Sequence, residues 1–309
     1  MLAAVPASTA SAQTGSTQVT FDEGLIKGER VSVHETPRRD VKVSVPANAT
    51  PEELMVKAAQ RVDEANARYV DDLALSDSLR REAAALYRHA RVRFAKQKRP
   101  DQALFAEAQA LRQDGDFEAM AKTITSLMTK HPRSAVASTA ALALGDYYFD
   151  VSELDKARAA YERVLEGPPS FDTDYARYKL AWIAVNNADC DEALRRFGEV
   201  LHSRVPRPSP PNRDIREEAL VDMVYCYAKN HSANQAISEV TSAPVSKTAQ
   251  LRALAALGRR YDILDRTADA LRLYQKLRGW STDPSKRREI DDQVRQLKAR
   301  LPSKGTTTP

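Results

Sequence analysis

The chain has 309 residues, a net charge of +5 and 42 % hydrophobic residues, enough for about two ordinary domains or one repeat array with a sizeable core. Aromatics make up only 6 % and glycines number 10, while Ala, Leu, Arg, Glu and Asp dominate, so the composition points to an all-α protein. The modest positive charge permits an acidic partner without requiring nucleic acid, and the sequence lacks the roughly eighteen consecutive apolar residues a membrane span needs.

Residues 1–12 are small and apolar and end in Ala10-Ser11-Ala12, the A-x-A shape of a signal-peptidase site. A basic region before them is missing, so they read as the remnant of a signal peptide whose true start lies upstream, and hence export; the alternative is a disordered Ala/Ser tail. Residues 13–49 read as an extended or disordered arm. Within it Val31-Ser32-Val33 and Val41 to Val45 alternate as short strands do, around a turn at Pro37 to Asp40. Isolated pairs of strands are marginal in water, so the arm is expected to stay extended or disordered unless a partner orders it. Phe21 to Glu29, FDEGLIKGE, resembles a short element that recurs in envelope proteins of the bacterial adventurous gliding-motility machinery.

A helical hairpin is expected over 50–100. Thr50 can cap the first helix, Pro51 suits its first turn and Glu53 can close a capping box. Leu54, Ala58, Val62, Ala65, Tyr69 and Leu73 then follow at helical spacing. A second helix is predicted from about Leu79 to Lys98, with Ala83, Leu86, Ala90 and Phe94 inward and Pro100 ending it. This helix and the residue after it carry Arg80, Arg81, Arg88, Arg91, Arg93, Lys96, Lys98 and Arg99, against Glu82. Arg81, Arg88, Arg91 and Lys98 are candidates for an anionic surface site; the alternative is a solvated face whose cations suit the helix dipole.

A period runs through residues 101–283. In the clearest copy Leu144, Gly145 and Tyr148 are followed by Ala157, Tyr161 and Pro169. A second copy has Leu180, Ala181 and Ala184, then Ala193, Phe197 and Pro206. A third has Leu254, Leu257, Gly258 and Tyr261, then Ala270, Tyr274 and Leu277. Two are weaker: Leu104, Ala108, Leu111, Gly115, Met120, Ile124 and Pro132; and Leu220, Met223, Val224, Tyr227 and Ala236. The equivalent positions Met120, Ala157, Ala193, Ala236 and Ala270 lie 37, 36, 43 and 34 residues apart, the long step holding a proline-rich loop at Val205 to Asn212. Small residues at Gly145, Ala181 and Gly258 would let paired helices approach, with Tyr161, Phe197 and Tyr274 filling the space beyond. A helix over 284–301 closes the array with Ile290, Val294, Leu297 and Leu301 on one stripe, and 302–309 reads as a disordered tail.

These copies resemble the tetratricopeptide (TPR) repeat, a 34-residue helical hairpin with W-x-x-L-G-x-x-Y in its first helix and A-x-x-x-F in its second. The resemblance implies an α-solenoid of TPR-like hairpins that binds other proteins. First helices line the concave face in that family. Carried over, this gives partner-binding candidates Phe149, Tyr175, Tyr178, Trp182, Asn186, Tyr225 and Lys229, with Phe105 and Leu142 in equivalent positions. Ordinary packing between helices is the competing account of the same rings. The Lys, Arg and Asn clamp of chaperone-tail binders is represented only loosely, by Asn186 and Lys229.

Catalytic patterns are missing. The five histidines lie apart from one another and from the cysteines, and no nucleophile elbow, phosphate loop or dinucleotide fingerprint occurs, so neither an enzyme nor a cofactor is expected. Cys190 and Cys226 fall in neighbouring repeats and read first as buried, inert thiols, with a disulfide as the alternative in an oxidising compartment. The sequence thus suggests a periplasmic scaffold of an envelope-spanning machine such as the gliding-motility complex, with envelope or outer-membrane proteins as partners. The alternatives are an outer-membrane assembly or cell-wall coordination factor, and a cytosolic TPR regulator of an acidic partner.

Overall fold

The computed structural model describes residues 41, 43–206 and 215–301. The signal-peptide remnant, the Phe21–Glu29 element, the strand at Val31, most of the proline-rich loop and the tail at 302–309 lie outside the described residues. The described chain is all-α and contains no strands. It forms two compact units, Met1–Gly167 and Pro168–Pro309.

In the first unit the helices are α1 (Pro51–Arg68), α2 (Leu73–Lys96), α3 (Pro100–Gln113), α4 (Phe117–Lys130), α5 (Ala137–Asp150) and α6 (Leu154–Leu165). α1 begins as its sequence dictates. Thr50 Oγ1 accepts from the Glu53 amide at 3.2 Å, and the Thr50 amide donates to Glu53 Oε2 at 2.8 Å. Leu54, Ala58, Leu86, Tyr87, Ala90 and Phe94 form the core of the α1–α2 pair, and Val43 and Val45 of the arm pack against it in extended coil rather than strand.

Three expectations need correction here. Tyr69 and Leu73 do not continue the α1 stripe; they are 41 % and 57 % exposed at a turn. Asp72 accepts from the Leu75 amide at 2.9 Å and so starts α2 at Leu73, six residues earlier than its apolar pattern suggests. Pro100 does not end α2. That helix stops at Lys96, and Pro100 occupies the first turn of α3, where its missing amide costs nothing.

The second unit contains α7 (Phe171–Asn186), α8 (Cys190–Leu201), α9 (Ile215–Asp222), α10 (Val224–Asn230), α11 (Ala233–Ser242), α12 (Lys247–Ile263), α13 (Thr267–Trp280) and α14 (Pro284–Arg300). The expected first helix of the weak copy near Glu217 is therefore two short helices, broken at Met223. α14 buries Val294 and Leu297 and carries charged residues over much of its remaining surface.

Small residues set the spacing within hairpins. A Cβ built on Gly145 would lie 2.6 Å from Tyr161 Cε1, and one on Gly258 would lie 3.2 Å from Tyr274 Cε2. In both cases the aromatic lies sixteen residues after the glycine, as Phe197 does after Ala181. The turns share one geometry as well. Lys98, Gly115, Ser152, Ala188 and Asp265 all have positive φ, between 54° and 77°. The amide after each reaches back to a helical carbonyl: Arg99 to Phe94, Asp116 to Leu111, Glu153 to Tyr148, Asp189 to Ala184 and Arg266 to Tyr261, at 2.8–3.0 Å. This is the left-handed helix stop that satisfies orphan carbonyls at the helix end. Four of these turns lie five residues before Met120, Ala157, Ala193 and Ala270, so the turn and the equivalent second-helix position are placed in step.

Candidate functional site

In the second unit, α7 presents Tyr175, Tyr178, Trp182 and Asn186 in succession. Tyr178 and Trp182 both meet the fully buried Phe197 of α8 edge-on, with centroids at 5.8 and 6.1 Å. Their polar tips converge on one carboxylate at the end of α9. Tyr178 Oη donates to Asp222 Oδ2, and Trp182 Nε1 donates to the same oxygen at 3.2 Å. Burial pushes the Asp222 carboxyl up to about 6, against the pull of the Tyr178 hydroxyl, and the neighbouring Glu218 charge adds to the rise. The Tyr178 hydroxyl is itself raised, by burial first and then by Asp222. Two of the expected anchors therefore spend their hydrogen bonds inside the unit, tying α7 to α9.

The remaining candidates differ. Tyr175 is 7 % exposed and lies 6.4 Å from both Phe171 and Tyr178, with the Lys179 ammonium 5.5 Å from its ring. Asn186 Nδ2 donates to the Trp182 carbonyl at 2.9 Å within its own helix. Tyr225 of α10 is half-buried, with the Arg260 guanidinium 4.2 Å and the Lys229 ammonium 5.4 Å from its ring centroid. Lys229 is exposed. The structure thus flanks the α10 tyrosine with cations of α10 and α12, and Tyr225 packs on the same buried cluster as Tyr178 and Trp182. In the first unit Phe149 is half-buried at the end of α5, Phe105 packs into the core of α1–α4, and Leu142 is buried.

Sequence reasoning missed Asp222 and Arg260. Asp222 lies three residues before Tyr225 and seven before Lys229, so it shares their helical stripe, but it was masked by the ordinary expectation that an acid faces solvent. It also missed a buried pair at the start of α7. Asp174 is 4 % exposed, accepts from Arg177 Nη1 at 2.9 Å, and has its carboxyl raised by burial.

On α2 the fold supplies acids from neighbouring elements. Arg88 pairs with Asp114 at the end of α3, and Arg91 Nε lies 2.9 Å from Glu107. Arg80 Nη2 donates to Asn66 Oδ1 at 2.7 Å and Arg93 Nη2 donates to the Pro46 carbonyl at 2.9 Å. Lys98 is exposed at its positive-φ turn, and Arg81 Nε is buried without a hydrogen-bond partner. Two of the four candidates for an anionic surface, Arg88 and Arg91, are thus matched by carboxylates of α3 and its cap.

Cys190, the first residue of α8, and Cys226 of α10 are joined by a disulfide, with Cα atoms 5.1 Å apart across a separation of 36 residues. The reading of two inert thiols is corrected: both lie at the buried seam of α8 and α10, where the repeat stacking brings them face to face. Among the described residues no group of three or more His, Cys, Asp or Glu is placed to hold a metal ion, and no helix is long and apolar enough to cross a membrane.

Paired helices with small residues at the crossing, joined by repeated left-handed turns, define a helical-hairpin repeat protein. Residues 81–204, from within α2 to just past α8, match the family described as a tetratricopeptide repeat-like domain. No curated protein matches the chain. Among solved structures the chain is similar to BtubC (BKLC) from P. vanneervenii, at 14 % identity over 85 % of this chain and 98 % of that one, with a TM-score of 0.39. It is also similar to the TPR2AB domain of yeast Sti1 in its complex with pHSP90, at 16 % identity over 78 % of this chain and 98 % of that one, with a TM-score of 0.27. A domain of this kind suggests a scaffold for protein–protein interaction.

Proposed function

We propose that the protein is a non-catalytic scaffold that holds protein partners in the bacterial periplasm, as a subunit of an envelope-spanning machine. The observation that carries the binding role is the surface of Tyr225, Lys229 and Arg260. A tyrosine ring flanked by two cations offers a flat apolar contact and positive charge together, which suits an acidic partner segment with an apolar anchor. The first-unit helix α2 is a poorer candidate, because carboxylates of α3 and its cap already face Arg88 and Arg91. The compartment is supported by the Cys190–Cys226 bond, since disulfides persist in oxidising compartments and are rare in the cytosol. It is supported also by the A-x-A shape at Ala10-Ser11-Ala12. Assignment to the gliding-motility machinery in particular rests on the resemblance of Phe21–Glu29 alone. An outer-membrane assembly or cell-wall coordination role would use the same surface.

The test is crosslinking in cells followed by affinity capture of wild type and of the Lys229→Glu/Arg260→Glu double variant. Loss of specific partners from a variant that keeps its helical circular dichroism is expected. An unchanged partner set would remove this surface from consideration. Unfolding the protein from freshly lysed cells in alkylating reagent without reductant reads the compartment: Cys190 and Cys226 stay unlabelled if the protein is periplasmic and are labelled if it is cytosolic.

A further inference from the structure

The second unit contains a cavity of about 360 Å³ between α8 and α11, floored by α9, α10 and α12. That volume lies within the range of small-molecule sites. Its walls are mostly apolar, with Leu201, Leu220, Val224, Val240 and Leu257 prominent. It exists because of local sequence choices. Gly198 on α8 lines it with no side chain, and a Cβ built there would meet no atom within 4 Å. α11 is only 10 residues long, and the first helix of its repeat is broken at Met223, so neither element closes over the gap.

The polar groups at this cavity are few and unusual. Tyr227 is 4 % exposed, and its buried Oη makes no hydrogen bond of good geometry, although burial and the nearby Glu239 raise its pKa. His231 stacks on Tyr227 with centroids 4.0 Å apart, and its buried Nδ1 also lacks a partner. A buried hydroxyl or ring nitrogen without a partner is costly and calls for one. Both residues line the cavity, as does Glu239, which is exposed and stands at its edge. Glu239 is the one carboxylate among the lining residues, and no lysine or arginine is among them.

The geometry points to a binding site for a small amphipathic amine: an apolar body in the cavity, and a protonated amine held by the Glu239 carboxylate and the Tyr227 hydroxyl. The Tyr227–His231 stack adds an aromatic face to which a cation is attracted. The site takes Tyr227 from α10, the helix that also carries Tyr225 and Lys229, but neither of those residues nor Arg260 lines it, and it does not depend on the scaffold role.

Three probes with one apolar body separate the chemistry: 3-phenylpropylamine, 3-phenylpropanol and 3-phenylpropanoate, titrated by calorimetry into the full chain at pH 7. Saturable binding of the amine is expected, at least ten-fold tighter than the carboxylate. Glu239→Gln should erase the preference of amine over alcohol. Gly198→Leu should fill the cavity and abolish binding while the circular dichroism stays unchanged, because open space receives the new side chain. Tyr227→Phe should weaken the amine while leaving the melting temperature of the free protein nearly unchanged, since the hydroxyl faces Glu239 without a well-formed hydrogen bond. Absence of saturable amine binding, equal affinity for amine and carboxylate, or binding that survives Gly198→Leu would each overturn the assignment. So would a Tyr227→Phe variant that loses stability and keeps its affinity.

Discussion

The closeness of paired helices can be tested at Gly145. An alanine there would place its Cβ 2.6, 2.7 and 3.0 Å from Cε1, Cδ1 and Cζ of Tyr161. Tyr161 is fully buried, and its hydroxyl donates to Asp146 Oδ1 at 2.8 Å, so the ring is held at both ends. Forcing a methyl into a packed interface costs about 1–3 kcal/mol. The change from glycine to alanine within a helix returns up to ~1 kcal/mol. Gly145→Ala should therefore lose about 1–2 kcal/mol net. Gly258→Ala is the internal control. There the contacts with Tyr274 are 3.2, 3.3 and 3.6 Å, an overlap that a few tenths of an ångström relieves. Its net effect should lie within about 0.5 kcal/mol of zero. Urea denaturation followed by circular dichroism, with the two variants and wild type measured side by side, reads the difference. A Gly145→Ala variant as stable as Gly258→Ala would refute the claim that the glycine sets the α5–α6 distance.

Further outcomes follow from the turns, the disulfide and the buried acid. Ser152→Gly and Ala188→Gly each relieve a left-handed backbone at a residue with a Cβ, and each should raise stability by up to ~1 kcal/mol in the same denaturation assay; a loss would mean the positive φ is not adopted. Replacing Cys190 and Cys226 together by alanine opens a loop with a sequence separation of 36, and chain entropy puts the loss near 4 kcal/mol, read as a fall in melting temperature that added reductant reproduces in the wild type. Asp222 carries the pH dependence. Its folded pKa of about 6 lies above the unfolded value, so its contribution is fully present below about pH 4 and is lost as pH rises through 6. The full shift corresponds to at most ~3 kcal/mol, and solvent screening of a partly exposed group leaves ~1–2. Asp222→Asn, whose amide oxygen still accepts from Tyr178 and Trp182, should gain on wild type between pH 4.5 and 7; no change in the difference between the two proteins across that interval would refute the assignment.

How much of this was legible in the sequence depended on whether a position is set by local chemistry or by what packs against it. Thr50-Pro51-Glu52-Glu53 fixed the start of α1, because every atom in a capping box comes from four consecutive residues. The spacing of Ala157, Ala193 and Ala270 marked the hairpins, because close contact demands small residues whatever the neighbours are. The left-handed turns were invisible where Ser152, Ala188 and Asp265 occupy them, since only Gly115 carries the usual signal. α2 was misjudged at both ends because apolar periodicity records burial, and its first turn is exposed. The site was less legible still. Tyr178 and Trp182 have the composition of binding anchors, but whether their polar tips face a partner or Asp222 depends on how α9 packs against α7.

The weak fourth copy shows how an array tolerates a unit that fails its own pattern. α10 has 7 residues and α11 has 10, and the turn between them at His231 has φ of −114° in place of the left-handed stop used elsewhere. Its backbone groups are instead satisfied by the next hairpin. Tyr261 Oη donates to the His231 carbonyl at 2.7 Å, and Arg266 Nη1 donates to the Ala228 carbonyl at 2.6 Å. Asp269 Oδ1 accepts from the Ala233 amide at 3.0 Å while its other oxygen holds Arg266. On the other side the disulfide ties α10 to α8. Stability in stacked repeats is roughly a sum of each unit's own stability and its interfaces, so a unit poor in the first can persist on the second. Such a unit keeps its secondary structure without filling its own interior. That accounts for a cavity between α8 and α11 in a chain whose other hairpins close on glycine and alanine.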